Sequence, residues 1–217
     1  MKQSPLHERH LARNAKMADF GGWLMPIEYP GAGVLAEHAA VRERVGLFDV
    51  SHLGKASVVG EGALEFLNSM LTNDLTKISD GAAQYSMLCN SAGGVIDDLI
   101  VYRNSDSDFF IVPNASNTSA VVADLQANAP SEITVTNLHN EYGVIALQGP
   151  LAAKVLTRFG LQIEIDYMAF TYVSIAGCDV IVCRTGYTGE YGFEVLPKWD
   201  QALTVWDALV EQVEASD

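Results

Sequence analysis

Residues Tyr85–Tyr102 read YSMLCNSAGGVIDDLIVY and decide how the middle of this chain folds. Two extended runs flank the small-residue segment Asn90–Gly94, and such a segment between two strand-like runs is typical of a β-hairpin turn. The second run, Val95–Tyr102, is one of the most apolar strands that the sequence predicts. We therefore predict a hairpin here, with the neighbouring elements packed around it.

Two adjacent carboxylates, Asp97 and Asp98, interrupt this apolar strand. Strand side chains alternate between faces, so Asp98 shares a face with Ile100 and Tyr102, and Asp97 shares the other face with Leu99. One acid must therefore lie beside apolar side chains, where a carboxylate is costly unless it is paired. Such an acid is a candidate functional residue, or else it faces solvent or accepts N–H groups from the turn.

The segments around the hairpin predict an α+β unit over residues 53–140. Hydrophobic spacing and turn residues give the order β-α-β-β-β-α-β, which is a ferredoxin-like antiparallel sheet with one added strand and helices on one face. Beside the hairpin strands near 84–90 and 95–103, the predicted elements are strands at 55–60, 109–114 and 132–136 and helices at 63–71 and 120–127.

Outside residues 53–140, the start of the chain is predicted to be irregular and the part after residue 140 to form regular strands and helices. Residues 1–33 contain many glycines and prolines and are predicted to be irregular, and a helix is expected at 34–45. After residue 140 we predict strands at 144–148, 170–176, 178–184 and 193–196, a short helix after Pro150, and a closing helix at about 199–213.

Composition excludes several classes of protein. The chain has 217 residues with 27 acidic and 13 basic side chains, a formal charge of −14, which argues against a nucleic-acid backbone or an anionic membrane as the main partner. Three cysteines without metal-like spacing, and five histidines without a ligand pair, give no metal site. No leader-like or membrane-spanning run is present, so we expect a cytoplasmic protein.

The stretch Thr185–Glu194, TGYTGEYGFE, is the second unusual feature. Its glycines permit sharp turns or close approach of another group, but it has neither the Walker lysine nor dinucleotide-loop spacing. It is either a structural hairpin or a binding segment, in which Tyr187 is an aromatic wall and Glu194 accepts two N–H bonds from a flat heterocycle.

One sheet face of the predicted unit could line a small-molecule pocket. Val112 and Asn114 on the strand after the hairpin lie on the same kind of face as Asp98 and Tyr102, and Tyr85 of the first hairpin strand joins them. From periodicity alone, an ordinary sheet face is about as good an interpretation.

Several long motifs resemble the glycine-cleavage T-protein family of aminomethyltransferases. In chain order they are PLHERHLARNAKMADFGGWLMPIEY, AVRERVGLFDVSHLGK, LTNDL, QYSMLCNSAGGVIDDLIVYR, ALQGP and RTGYTGEYGFE, and together they extend over nearly the whole chain. The segment Ser51–Gly54 has leucine where the family usually has methionine, a roughly volume-conserving change.

The resemblance implies a folate-binding cloverleaf with a discontinuous first domain, residues 1–52 and 141–217, and the ferredoxin-like unit 53–140 inserted into it. It also implies that the third, C-terminal barrel domain and an arginine-bearing stretch before it lie beyond the last residue of this sequence. The implied reaction takes an aminomethyl group from the lipoylated H-protein, releases ammonia and forms 5,10-methylenetetrahydrofolate, with no metal.

The family's site residues map individually onto this sequence. Asp98 matches the catalytic aspartate that holds and activates the attacking folate nitrogen, N10. The positions that match folate-binding residues are Tyr85, Asp98, Tyr102, Val112, Asn114, Tyr187 and Glu194. Two alternatives within the same fold are a non-catalytic folate-binding module and a demethylase-like relative that transfers a methyl group.

Overall fold

The computed structural model describes residues 1–31, 33–162 and 164–215. Contacts divide the chain into two compact units. The first unit comprises Met1–His52, Tyr142–Tyr167 and Thr171–Asp217, and the second comprises Leu53–Glu141 and Met168–Phe170. The assignment of these parts to domains stays a prediction.

The described residues form strands, helices and two short 3₁₀ turns. In order they are β1 (Lys2–Gln3), α1 (His7–Ala12), β2 (Lys16–Phe20), β3 (Trp23–Glu28), α2 (Gly33–Glu43), β4 (Gly46–Asp49), β5 (Ala56–Gly60), α3 (Ala63–Met70), β6 (Ala83–Cys89), β7 (Val95–Ser105), β8 (Asp108–Val112), α4 (Thr118–Asn128), β9 (Ile133–Asn137), β10 (Ile145–Gln148), α5 (Ala152–Thr157), β11 (Phe170–Ile175), β12 (Cys178–Cys183), β13 (Gly192–Pro197) and α6 (Ala202–Glu214). Short 3₁₀ turns lie at Leu75–Lys77 and Trp199–Gln201.

The second unit is a five-stranded sheet in the order β6-β7-β8-β5-β9, and its paired neighbours run antiparallel. The hairpin predicted from the sequence is present as β6 and β7, and Asn90 closes its turn by accepting N–H bonds from Ala92 and Gly94. Strand β5 lies between β8 and β9, so the unit is held together by pairings between segments that are distant in sequence.

The core of the second unit lies on one face of this sheet, under α3 and α4. Alternating strand residues such as Leu99 and Val101 belong to one buried cluster with apolar residues of the two helices, including Leu67 and Leu125. The opposite face carries the side chains that alternate with these. Residues 168–170 belong to this unit because Ala169 bridges to Ala82 and the Phe170 ring packs edge-on against Tyr102.

The first unit contains a five-stranded sheet in the order β11-β12-β13-β10-β4. Its core consists of one sheet face, α5 and α6, with Phe193, Val195 and Trp206 among the buried residues. The strand pairs β10–β13, β10–β4 and β12–β13 are antiparallel. Because strand residues alternate, Glu194 projects from the face opposite this core.

The expectation that residues 1–33 are irregular is wrong for most of that segment. Three strands form a mixed sheet in the order β1-β3-β2, and α1 lies between β1 and β2. Gly21 and Gly22, both at positive φ, form the two-residue turn that joins β2 to β3. The strands are short, and Pro26 within β3 weakens the strand pattern, which explains why the periodicity did not show them.

None of the helices within residues 1–31, 33–162 and 164–215 is both long and apolar enough to cross a membrane.

Candidate functional site

Asp98 lies on the face of the second unit's sheet that is opposite its core. Its side chain is exposed, and its two carboxylate oxygens have different donors. The Tyr85 hydroxyl donates to Oδ2 over 2.7 Å, and the Asn114 side-chain amide donates to Oδ1 over 3.1 Å. The structure therefore brings three of the predicted residues together and holds the carboxylate in one orientation, with lone pairs left for a further donor.

Asp97 has the opposite environment. It is 2% exposed and lies on the core face, as strand alternation predicts. It accepts bonds from the backbone N–H of Asn114 at 2.9 Å, from the Asn114 amide at 3.1 Å and from the Asn117 amide at 2.7 Å. These donors replace the water that the buried carboxylate has lost.

Tyr102 and Val112 lie on the same sheet face as Asp98, but they contribute differently. In the register, Ile100 lies opposite Tyr85 on one side and Val112 on the other, so these three side chains form a row across three strands. Tyr102 is buried, because its ring packs against Phe110 and Phe170. Val112 is half-buried and Tyr85 is exposed, so the face presents both apolar and aromatic surface.

Glu194 is the predicted acceptor of the first unit. It stands on β13 directly between Ala146 of β10 and Cys183 of β12. Burial raises the pKa of its carboxyl group, and the hydrogen bond that the Thr185 hydroxyl donates to it opposes this rise. The Thr185 hydroxyl is bonded to one of the two carboxylate oxygens. Because Glu194 is half-buried, the group still has access to a ligand.

The glycine-rich stretch owes its shape to Gln148, which the sequence reasoning missed. The Gln148 side-chain N–H groups donate to the carbonyl oxygens of Thr185 and Phe193, each over 3.1 Å, and its oxygen accepts from the Thr188 hydroxyl over 2.8 Å. A Cβ at Gly186 or Gly192 would overlap this amide. The close approach that these glycines permit is therefore to a buried side chain of the same unit.

Tyr187 lies at the tip of this loop, and its side chain is fully exposed. The loop beside it is held by the hydrogen bond from Thr188 to Gln148 and by an ion pair of 2.6 Å between Arg42 and Glu190. A rigid loop with an outward aromatic ring can present a stacking surface to a flat ligand. Tyr187 and Glu194 belong to the first unit, whereas the other predicted residues belong to the second.

The structure assigns a packing role to His10, which the sequence placed in an irregular arm. His10 is 1% exposed on α1 and makes hydrogen bonds with Asp49 at 2.9 Å and Tyr29 at 2.8 Å. Burial tends to raise the pKa of Asp49, but bonds from His10, Ser4 and Ser51 outweigh burial and lower it. Burial and the Asp49 charge raise the pKa of Tyr29 to about 12. This network stabilises the N-terminal segment.

A separate cleft of about 550 Å³ lies in the first unit between α2, β3 and β4. Thr188 is its one lining residue from the glycine-rich loop, and none of the predicted site residues lines it. No group of three or more His, Cys, Asp or Glu side chains suited to a metal ion occurs in the part of the chain that the structure describes.

The sheets and helices described above define an α+β protein. Comparison with known proteins identifies its family. The family model described as the GCVT N-terminal domain matches residues 6–217. Aminomethyltransferase from Parafrankia sp. (strain EAN1pec) is 56% identical over 213 residues, which are 98% of this chain and 58% of that protein. Aminomethyltransferase from Mycobacterium bovis (strain ATCC BAA-935 / AF2122/97) is 56% identical over 212 residues, 98% of this chain and 57% of that protein.

Solved structures agree with this relationship. The crystal structure of glycine cleavage system aminomethyltransferase T from Bartonella henselae superposes with a TM-score of 0.89 at 38% identity, over 96% of this chain and 57% of that one. Heterotetrameric sarcosine oxidase from Corynebacterium sp. U-96, at 19% identity and a TM-score of 0.60, shares the fold. The chain belongs to the GCVT N-terminal domain family, which confirms the resemblance seen in its motifs. It spans less than two thirds of the length of these aminomethyltransferases.

Proposed function

We propose that this chain acts in the aminomethyl transfer step of glycine cleavage, as the part of a T-protein that binds tetrahydrofolate and carries the catalytic acid. The reaction would take the aminomethyl group from the lipoyl arm of the H-protein. Two carbon–nitrogen bonds to folate would replace the carbon–sulfur and carbon–amine bonds, so that ammonia and the dithiol are released and 5,10-methylenetetrahydrofolate forms. Family membership and the geometry of Asp98 support this proposal.

The observation that carries the proposal is the exposed, oriented carboxylate of Asp98. Its oxygens are fixed by Tyr85 and Asn114, yet each retains capacity to accept another bond. A carboxylate held in this way can accept an N–H bond from an attacking nitrogen and take its proton as the new bond forms. Tetrahydrofolate would supply the two nitrogens that take up the one-carbon unit.

Two side chains of the first unit, taken by themselves, suit the pterin ring of tetrahydrofolate. Glu194 can accept from the 2-amino group and the ring N–H of a pterin, which together form the fork that a carboxylate accepts best. Tyr187 offers an exposed ring for stacking. On this proposal Tyr102 and Val112 contribute apolar surface on the Asp98 face.

We also propose the domain arrangement of the family for this chain. Residues 1–52 and 141–217 would be one discontinuous domain, with 53–140 as a ferredoxin-like insertion. The order β6-β7-β8-β5-β9 supports this, since it is the ferredoxin-like order with β6 added at the edge.

The test is ammonia release from aminomethyl-lipoyl H-protein in the presence of tetrahydrofolate, with the protein at its natural length. Asp98→Asn should lower turnover by about 10²–10⁴-fold, because the amide cannot take a proton. Calorimetry of the same variant should show that tetrahydrofolate still binds. Asp124→Asn on α4, away from the site strands, removes the same charge and should leave both measurements unchanged.

Three results would redirect the proposal. Wild-type turnover in Asp98→Asn would remove the catalytic assignment. Folate binding by the wild-type protein without ammonia release would favour a non-catalytic folate-binding module. Transfer from a methyl donor in place of the aminomethyl group would favour a demethylase-like activity.

A further inference from the structure

We infer that Asp97 is a positioning residue for Asp98, and that it acts through the side-chain amide of Asn114. This inference rests on the proposed function, since it concerns the acid to which that proposal assigns the chemistry. The adjacent aspartates have opposite environments, one buried on the core face and one exposed on the other. A single amide group is hydrogen-bonded to both of them.

The Asn114 amide nitrogen is surrounded by acceptors. It lies 3.1 Å from Asp97 Oδ1, 2.9 Å from the backbone oxygen of Asp98 and 3.1 Å from Asp98 Oδ1. With two N–H groups among three acceptors, the nitrogen is the only end of the amide that suits this position. The orientation of Asn114 is therefore fixed by groups that cannot donate.

Asp97 is the acceptor that fixes the orientation of the Asn114 amide. An ionised carboxylate only accepts, whereas an asparagine at 97 could turn its own NH₂ group toward Asn114 and force that amide to rotate. Asp97 also binds the backbone N–H of Asn114, so it fixes both the main chain and the side chain of this residue. Asn117 donates to the same carboxylate over 2.7 Å and thereby fixes Asp97.

Burial of the Asp97 carboxylate costs free energy that an apolar side chain at this position would not cost. The donors to the buried Asp97 carboxylate are the N–H groups of Asn114 and Asn117, and burying a carboxylate costs free energy even when such donors are present. A leucine or valine on this apolar face would pack without that cost. The carboxylate is useful because Asn114 must present its N–H groups to Asp98 on the other side of the strand.

The experiment compares Asp97→Asn and Asn117→Ala with the wild-type protein at its natural length. Loss of a defined Asn114 orientation should displace the Asp98 carboxylate, and a small misplacement of a catalytic group can cost about 10²-fold in rate. We expect Asp97→Asn to lower kcat by about 10–100-fold and Asn117→Ala by less. The Kd for tetrahydrofolate should rise by a smaller factor than kcat falls, because Asp97 and Asn117 act through Asn114 and Asp98 and the loss falls mainly on the orientation of the catalytic acid.

Leu99→Ala is the matched control for lost stability. Leu99 lies on the same strand and the same core face as Asp97, is 2% exposed, and packs in the core of the second unit. Its truncation should lower the free energy of unfolding by about 2–5 kcal/mol but leave kcat per folded molecule unchanged. If Leu99→Ala lowered kcat as much as Asp97→Asn, the effect would be one of general stability and the inference would be lost.

A second readout does not depend on activity. In the NMR spectrum, the Asn114 side-chain NH₂ protons should exchange slowly with solvent in the wild type and at least tenfold faster in Asp97→Asn and Asn117→Ala. Wild-type kcat and slow exchange in both variants would overturn the inference while Asp98→Asn is still inactive. Wild-type turnover in Asp98→Asn would instead overturn the proposed function.

Discussion

Because side chains alternate along β7, Asp97 is buried and Asp98 is exposed. This difference decides which groups each carboxylate can bind. Asp98 keeps water and ligand access, with its oxygens oriented by Tyr85 and Asn114. Asp97 gives up its hydration and depends on the N–H groups of Asn114 and Asn117. On the proposed function, one carboxylate would react and the other would support it, one residue apart.

Glu194 gives a residue-scale prediction that links stability to pH. Burial raises its pKa, so the unfolded chain releases this proton at lower pH than the folded chain does. Its contribution to stability is fully present below the ordinary glutamate pKa, about 4.3, and is lost as the pH rises through the raised value. Glu194→Gln cannot ionise, and the stability difference between this variant and wild type should therefore grow in favour of the variant from pH 4 to pH 8.

Urea unfolding at pH 4, 6 and 8 measures this difference. Glu211→Gln is the control, because Glu211 is exposed on α6 of the same unit and its replacement changes the net charge equally. The same Glu194→Gln variant should bind tetrahydrofolate about 10–100-fold more weakly, since a hydrogen bond to a charged group contributes about 1.5–3 kcal/mol. A stability difference that stayed constant or shifted in favour of wild type from pH 4 to pH 8 would contradict the raised pKa of Glu194.

At the scale of elements, the loop between β12 and β13 is folded around Gln148 on β10. Both N–H donors and the oxygen of this buried amide are used, on the carbonyl of Thr185, the carbonyl of Phe193 at the start of β13 and the hydroxyl of Thr188. Gln148→Glu keeps the shape of the side chain but replaces its NH₂ group by an oxygen. The two N–H donors are lost, and an acceptor then faces the carbonyl oxygens of Thr185 and Phe193. We expect a loss of about 2–4 kcal/mol in the free energy of unfolding, because two buried carbonyls lose their partner beside a new charge.

The control for this prediction is Gln126→Glu on α4. Gln126 is exposed and donates one bond, to the Val135 carbonyl, so its replacement should cost within about 0.5 kcal/mol. Hydrogen exchange of the amides in Gly186–Gly192 should become faster in Gln148→Glu alone. Equal losses of stability in the two variants would show that Gln148 does not hold the loop.

The elements also show what a single sequence can and cannot predict. The hairpin, the face of each acid and the helices of the second unit follow from local signals, namely alternation, turn residues and helical spacing. The Gln148 contact links residues about 40 positions apart, and no local pattern encodes it. The strands of the N-terminal sheet were missed because their pairing partners, not their own composition, stabilise them.

At the scale of the whole chain, the segment Leu53–Glu141 of the second unit begins and ends at neighbouring points. In the first unit, Ser51 is hydrogen-bonded to Val144, so the chain leaves and returns at one place. In the second unit, the N–H of Leu138 donates to the carbonyl of Lys55, which brings its own two ends together. Each unit has a separate hydrophobic core. Such ends are typical of a domain that can fold alone.

We therefore expect a fragment of residues 53–141 to fold independently of the rest of the chain. The core under α3 and α4 lies entirely within this segment, and the part of the unit that the fragment lacks is Met168–Phe170, with the Phe170 ring that packs on Tyr102. Circular dichroism in urea should show one cooperative transition, and Leu67→Ala, at a fully buried position, should lower its free energy of unfolding by about 2–5 kcal/mol. A gradual transition that Leu67→Ala does not shift would contradict the prediction, because it would mean that the core of this unit forms only when residues outside 53–141 are present.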